Sequence, residues 1–233
     1  MKTVNLCRTW GKMLSVVGAS CVLAASTASA AIVWDLNPND LHGPIASSQH
    51  TFTSQGAQIT ARGYTNVNGT YQVAELFFKN RPPVGGALEV GLGLANSPHN
   101  EINAGTPPPN FIQLDLRSIL SQGFTNGAIA VSSLQNGESF QLFGSNMVGV
   151  LGTAITGPFA GLAFDNQFVA IPSFGTFQFI SVIAASGNVL PSQFMATPIP
   201  EMGTVLPIIG LLVVVGGTSL LRRRRAGQLA AAA

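Results

Sequence analysis

Side chains that could supply oxygen ligands are concentrated between residues 96 and 110, where the sequence reads NSPHNEINAGTPPPN. Calcium binds about six to eight oxygen atoms from carboxylates, amides and backbone carbonyls. The candidate ligands are Asn100, Glu101, Asn103 and Asp115. Glu101 is the only carboxylate within the segment, so a useful site requires Glu89 or Asp115 to join it from a flanking strand. The alternative is a turn stabilised by asparagine side chains, and no cofactor other than Ca²⁺ is expected.

Signatures of catalysis are scarce. The three histidines lie in separate segments, and the chain has neither an HExxH nor a GxSxG motif. Two carboxylates can hydrolyse a glycoside, but the spacing of the central acidic residues selects no pair. Glu75 and Glu89 have apolar neighbours along predicted strands and are expected to face outward. We therefore predict that the protein is not an enzyme.

The elements that must position these residues are short strands. Apolar and polar residues alternate in brief runs separated by Gly, Asn, Pro and Ser, which is typical of strands rather than helices. The pattern predicts an all-β domain over residues 31–196, an antiparallel two-sheet sandwich of jelly-roll-like form. Residues 117–122 are the best candidate for a short helix. Strands are predicted at 31–36, 50–53, 57–64, 71–78, 88–94, 111–116, 128–134, 139–143, 148–154, 161–164, 168–171 and 177–185.

Charge is sparse in the predicted domain. Only 9% of the chain is charged, and residues 31–200 hold eight acidic and four basic residues, a net charge of −4. Nucleic-acid binding needs clustered Lys and Arg on the folded part, so this composition argues against a nucleic-acid partner.

The first thirty residues have the order of a secretory signal peptide. A basic start is followed by an apolar run, predicted as a helix, and by small residues at Ala28, Ala30 and Ala31, the pattern that signal peptidase recognises. A retained membrane helix and lipoprotein processing at Cys21 are the alternatives. Cleavage before Ala31 would remove both cysteines, Cys7 and Cys21, so the mature chain would contain no thiol and no disulfide.

The C-terminal end combines three features in order. A proline-rich spacer at 197–203 contains Pro200-Glu201, an uncharged apolar stretch at 204–221 is long enough for a transmembrane helix, and a basic tail occupies 222–233. The arginines that fix its orientation with the tail in the cytoplasm are Arg222, Arg223, Arg224 and Arg225. The arrangement resembles the PEP-CTERM sorting signal of Gram-negative bacteria, with Met202 in place of the usual second proline. That resemblance implies processing near Pro200 and Glu201 by an exosortase-like membrane protease. The alternative is a permanent single-pass anchor.

A second resemblance covers most of residues 88–190. The runs EVGLGL at 89–94, NEIN at 100–103 and FIQLDL at 111–116 resemble a segment that recurs in PEP-CTERM ectodomains. It implies export to the cell envelope, cell surface or extracellular matrix of a biofilm, with transient membrane association before processing. We predict a structural or adhesive role, with exopolysaccharide as the candidate partner. The alternative is a secreted carbohydrate-binding module or glycan-active enzyme, in which Tyr64 and Tyr71 would form the binding face.

Overall fold

The computed structural model describes residues 30–105 and 108–199. Most of the predicted signal peptide, Pro200 and Glu201, the predicted membrane helix and the four arginines lie outside the described residues. Within the described ranges, no helix is both long and apolar enough to cross a membrane.

Antiparallel strands make up most of the described residues, so the all-β prediction is confirmed at this level. The predicted helix at 117–122 is also confirmed, as α1 (Arg117–Ser121). Single turns of 3-10 helix occur at Pro98–Asn100 and Leu162–Phe164. The strands are β1 (Ile32–Asp35), β2 (Gly43–Pro44), β3 (Gln49–Ser54), β4 (Ala57–Val67), β5 (Thr70–Ala74), β6 (Leu76–Val84), β7 (Ala87–Leu94), β8 (Ile102–Asn103), β9 (Phe111–Asp115), β10 (Phe124–Ser132), β11 (Ser139–Ser145), β12 (Thr153–Ala154), β13 (Phe159–Ala160), β14 (Phe168–Ala170), β15 (Phe179–Ser186) and β16 (Asn188–Pro198).

The strands form three sheets. The first has the order β1-β16-β10-β14, with β8 also paired to β16. The second has the order β12-β11-β15-β9-β4-β3, with β13 attached to β11 and β5 to β4. The third is a ribbon with the order β2-β6-β7. Because many neighbours in the sheets are distant in sequence, most of the core is assembled from long-range contacts.

One apolar core receives side chains from all three sheets. Trp34 of β1 packs against Phe194 of β16 with ring centroids 5.5 Å apart, and its indole N–H donates a 3.0 Å hydrogen bond to the carbonyl of Ala57 in the second sheet. Leu92 from the ribbon is buried in the same cluster. The alternation seen in the sequence explains this arrangement, since Ile32 and Trp34 point inward while Val33 and Asp35 point outward.

Several strand predictions need correction. The run at 161–164 contains a 3-10 turn instead of a strand, and the predicted strand at 71–78 is interrupted at Glu75. Residues 79–84, which lie between the predicted strands at 71–78 and 88–94, continue β6 as far as Val84. The largest omission is β16, in which Pro191 pairs with Val131 of β10 beside a register shift that skips Ser192 of β16. An irregularity of this kind accommodates a residue without an N–H donor. This strand ends at Pro198, two residues beyond the predicted end of the domain.

Candidate functional site

A lysine lies on the inner part of the β6–β7 ribbon. Lys79 follows three buried apolar residues on β6 and pairs with Gly91 on β7, while Arg81 pairs with Glu89. Directly opposite residues of an antiparallel pair share a face, as do residues two apart along a strand. Lys79 and Glu89 are therefore diagonal neighbours on one face of the ribbon.

Two glycines leave room on that face for another segment of the chain. A Cβ atom at Gly91 would lie 2.7 Å from the carbonyl oxygen of Pro191, and one at Gly93 would collide with the carbonyl oxygen of Asn100. The segment 98–101 can therefore lie directly against β7. This contact places the side chain of Glu101 beside Lys79.

The four polar side chains that meet here form what we term the Lys79 cluster: Lys79, Glu89, Glu101 and Ser133. Lys79 Nζ donates hydrogen bonds to Glu89 Oε2, at 2.5 Å, and to Glu101 Oε1. Ser133 Oγ lies 3.0 Å from Glu89 Oε1 and 2.9 Å from Glu101 Oε2. The four residues are only 4%, 3%, 3% and 1% exposed, respectively, so water contributes little to their solvation.

Burial and hydrogen bonding shift the pKa values of Glu101 and Glu89 in opposite directions. Burial raises the pKa of Glu101 to about 7, against the opposing effect of Lys79. Burial also favours a higher pKa for Glu89, but hydrogen bonds from Lys79 and Ser133 outweigh it and hold the pKa of Glu89 below its ordinary value. Below neutral pH, Glu89 is therefore the ionised carboxylate and Glu101 the protonated acid.

A cavity of about 320 Å³ adjoins the Lys79 cluster. Its wall also includes Arg81, Val84, His99, Gln135, Glu138 and Asn188. Arg81 and Val84 are exposed, so the cavity communicates with solvent at the end of β6. The cavity is large enough to hold several water molecules.

The structure separates the ligands proposed for calcium. Glu89 does join Glu101, as a calcium site requires, but the ammonium group of Lys79 lies against both carboxyls. Asn103 instead donates to Asn188 Oδ1 at 2.7 Å, and Asp115 forms ion pairs with Arg62 and Arg117. Asn100 is half-buried, and its carbonyl oxygen lies over Gly93. Over residues 30–105 and 108–199, no group of three or more His, Cys, Asp or Glu side chains is arranged to hold a metal ion.

The tyrosines considered for sugar binding are packed against the body of the domain. Tyr64 is buried and stacks on Phe111 with ring centroids 4.8 Å apart, and Tyr71 meets the same ring edge-on at 4.7 Å. Sugar-binding faces need exposed aromatic rings, whereas Tyr64 is buried and Tyr71 is half-buried.

Sequence reasoning missed two members of the Lys79 cluster and misplaced a third. Lys79 and Ser133 were not identified as site residues, and Glu89 was expected to face solvent but is buried. One signal was available, because Lys79 is among only four basic residues between positions 31 and 200 and directly follows Leu76-Phe77-Phe78. Lysine is almost never fully buried unless it is paired, so a lysine beside three apolar residues is a candidate for a buried ion pair.

No protein-family model matches this chain, and comparisons with curated proteins and with solved structures likewise found no match.

Proposed function

We propose that the protein is an exported cell-surface or extracellular-matrix protein with a structural or adhesive role, sorted through its PEP-CTERM-like signal. The observation that carries the proposal is the position of the Pro200-Glu201 pair, directly after the end of the folded domain. The last strand, β16, ends at Pro198, and Ile199 is exposed.

Processing at this position would leave the fold intact. The last deeply buried side chains of β16 are Phe194 and Ala196, and its final pair joins Pro198 to Phe124 of β10. A protease acting near Pro200 would therefore cut beyond the last residue of β16 and would remove none of the described strands. The remaining product would be a domain without cysteine, stabilised by its apolar core.

We further propose that the two larger sheets pack as the jelly-roll-like sandwich expected from the sequence. The contacts of Trp34 with both Phe194 and Ala57 support this arrangement, because they join β1 and β16 of the first sheet to β4 of the second. A scaffold of this kind places loops at both ends and polar faces outside, which suits association with exopolysaccharide.

A non-enzymatic role fits the electrostatics of the domain. The carboxyls of the Lys79 cluster are hydrogen-bonded to one another through Lys79 and Ser133, and Asp115 is paired with two arginines. These groups make contacts within the domain, which supports a structural role rather than catalysis on a substrate.

The test is the intact mass and C-terminal sequence of the protein isolated from its own cells. We expect a chain that starts at Ala31 and ends near Pro200 or Glu201, recovered outside the cell or in the matrix fraction. Replacing both Pro200 and Glu201 by alanine should leave the protein in the membrane fraction with its arginines attached. Met202→Ala is the matched control and should be processed normally. A wild-type chain that keeps Leu221 and the arginines would contradict the sorting proposal and identify a permanent anchor.

A further inference from the structure

We propose that Lys79 and Glu101 become joined by an isopeptide bond between Lys79 Nζ and Glu101 Cδ, formed by the folded domain itself with Glu89 as the base. The bond would be a covalent modification inside the core of the domain. It goes beyond the proposed function and does not depend on how the C-terminus is processed.

The reacting groups are already in contact. Lys79 Nζ touches Glu101 Oε1, which is bonded to the carbon atom that the nitrogen would attack. The fold holds the two side chains together from strand β6 and from the segment pressed against Gly93. Fixing two reactants in such a position replaces the entropy cost of a bimolecular encounter and accounts for large accelerations of intramolecular acyl transfer.

The hydrogen bonds of Ser133 identify which carboxyl carries a proton. A serine hydroxyl has one proton and can donate only one hydrogen bond. Ser133 Oγ nevertheless lies at hydrogen-bond distance from Glu89 Oε1 and from Glu101 Oε2. Both contacts are satisfied when one carboxyl donates to Ser133 and Ser133 donates to the other. Glu89 Oε1 also accepts a hydrogen bond from Gln135, so Glu101 Oε2 is assigned as the donor to Ser133. The raised pKa of Glu101 and the lowered pKa of Glu89 agree with this assignment.

The reaction is a condensation that needs no oxidant, reductant or added reagent. Glu101 enters the reaction as the neutral acid with its proton on Oε2, and the Lys79 ammonium passes one proton to Glu89, which leaves a neutral amine. The nitrogen lone pair attacks Glu101 Cδ, the C–N bond forms and the carbonyl π electrons move onto Oε1. Glu89 passes its proton to Oε2 through the bridging Ser133 and then accepts the surplus proton from nitrogen. The C–Oε2 bond then breaks, water leaves and the carbonyl re-forms.

The loss of two charges during the reaction is favourable at a buried site. An ammonium and a carboxylate disappear, while an amide and a water molecule are produced, so the net charge of the cluster is unchanged. A buried ion pair carries a large desolvation cost, which the neutral amide does not. The water can leave through the adjoining cavity of about 320 Å³.

Glu101 is the acyl donor, and Glu89 is not. Glu89 accepts hydrogen bonds from Lys79, Ser133 and Gln135, an environment that keeps it ionised. An ionised carboxylate resists nucleophilic attack, whereas its free lone pairs let it act as the proton acceptor. The bond to Glu101 would tie β6 to the segment that precedes β8 and close a loop through β7. In a domain without cysteine, such a link would restrict the unfolded chain as a disulfide does.

The test is a glutamate-specific digest of the purified full chain, followed by mass spectrometry. Without the bond, cleavage after Glu75, Glu89, Glu101 and Glu138 releases peptides 76–89, 90–101 and 102–138. With the bond, the chain is not cleaved after Glu101, and peptides 76–89 and 90–138 are recovered as one linked species. Its mass is lower than the sum of the two peptide masses by one water molecule. A bond from Lys79 to Glu89 would instead block cleavage after Glu89 and would overturn the assignment.

Substitutions distinguish a loss of the bond-forming reaction from a loss of folding. Lys79→Met removes the nucleophile, and Glu89→Gln removes the base while keeping both reacting groups. We expect no linked peptide from the first and a several-fold smaller linked fraction from the second. His99→Asn changes the wall of the same cavity outside the cluster and should link like the wild type. Separate peptides of full mass from the folded wild type would overturn the proposal, whether or not the Lys79→Met protein folds.

Discussion

At the scale of single residues, Asp115 shows how a buried carboxylate can be stabilised by more than one cation. Its Oδ2 accepts hydrogen bonds from Arg62 at 2.9 Å and from Arg117 at 2.7 Å, and its Oδ1 accepts one from the backbone N–H of Arg117. Burial favours a higher pKa, but the bonds from Arg117 and Arg62 outweigh it and hold the pKa of Asp115 below its usual value. Asp115 thereby links β9 to β4 and to the start of α1.

We expect Asp115→Asn to lower the free energy of unfolding by about 2 kcal/mol at pH 7, because it removes hydrogen bonds to a charged acceptor. The folded-state pKa lies below the unfolded value, so this contribution is present above the unfolded pKa near 3.8 and is lost as the pH falls through the folded pKa. Urea unfolding at pH 7 and pH 3 should show the deficit shrinking in acid. Asp40→Asn, at an exposed position, should change little at either pH. An equal deficit at both pH values would refute the charge-based explanation.

At the scale of elements, the close approach of the segment 98–101 to β7 assembles the Lys79 cluster. His99 and Asn100 of this segment adopt positive φ angles of 58° and 57°, and Ser133 of the cluster adopts one of 64°. Non-glycine residues rarely adopt this conformation, and its cost is borne by the surrounding contacts. The surrounding packing therefore holds the backbone at and next to the Lys79 cluster in a conformation that these residues rarely adopt.

We expect Gly93→Ala to destabilise the domain by about 2 kcal/mol, because the new Cβ meets the backbone carbonyl of Asn100 and the segment must move away. The displacement should also reduce the fraction of Lys79 linked to Glu101. Gly157→Ala is the matched control, since a Cβ there meets nothing within 4 Å and the backbone is not left-handed. Thermal unfolding of both variants would measure the difference, and a Gly93→Ala protein as stable as the control would contradict the packing argument.

At the scale of the whole molecule, the two ends of the domain meet. β1 pairs along β16, with Ile32 opposite Ala196, so the residue after the predicted signal cleavage lies near the start of the C-terminal sorting segment. β16 also pairs with β10 and β8, which makes the last strand central to the first sheet. The domain is therefore complete only once its final strand is in place.

This arrangement predicts a sharp dependence on where the chain ends. A chain of residues 31–199 should unfold cooperatively near the temperature of the processed protein, because all the strands are retained. A chain of residues 31–187 lacks β16, which exposes β1 and β10, and should fail to fold. Circular dichroism during heating distinguishes the two. A cooperative transition in the shorter chain would show that β16 is dispensable.

The sequence by itself determined the local structure of this protein. Alternating apolar residues located most strands, as at Ile32 and Trp34, and the segment after Asp115 correctly predicted α1. These features depend on neighbouring residues, which a sequence displays directly. The low charge and the signals at both chain ends were also visible there, and they support the proposed export and sorting.

Only the tertiary structure decided which faces of the strands are covered. Alternation indicates that Lys79 and Glu89 can share a face, but not that the segment at 98–101 will close over it. That contact depends on Gly93, and Ser133 reaches the same point from β10's far end. β16 was missed for a similar reason, since its Pro191 lies beside a register shift in the pairing with β10, and such a shift is not visible in the local sequence. Burial and strand pairing depend on contacts between residues that are far apart in the chain, and the periodicity of the sequence does not show these contacts.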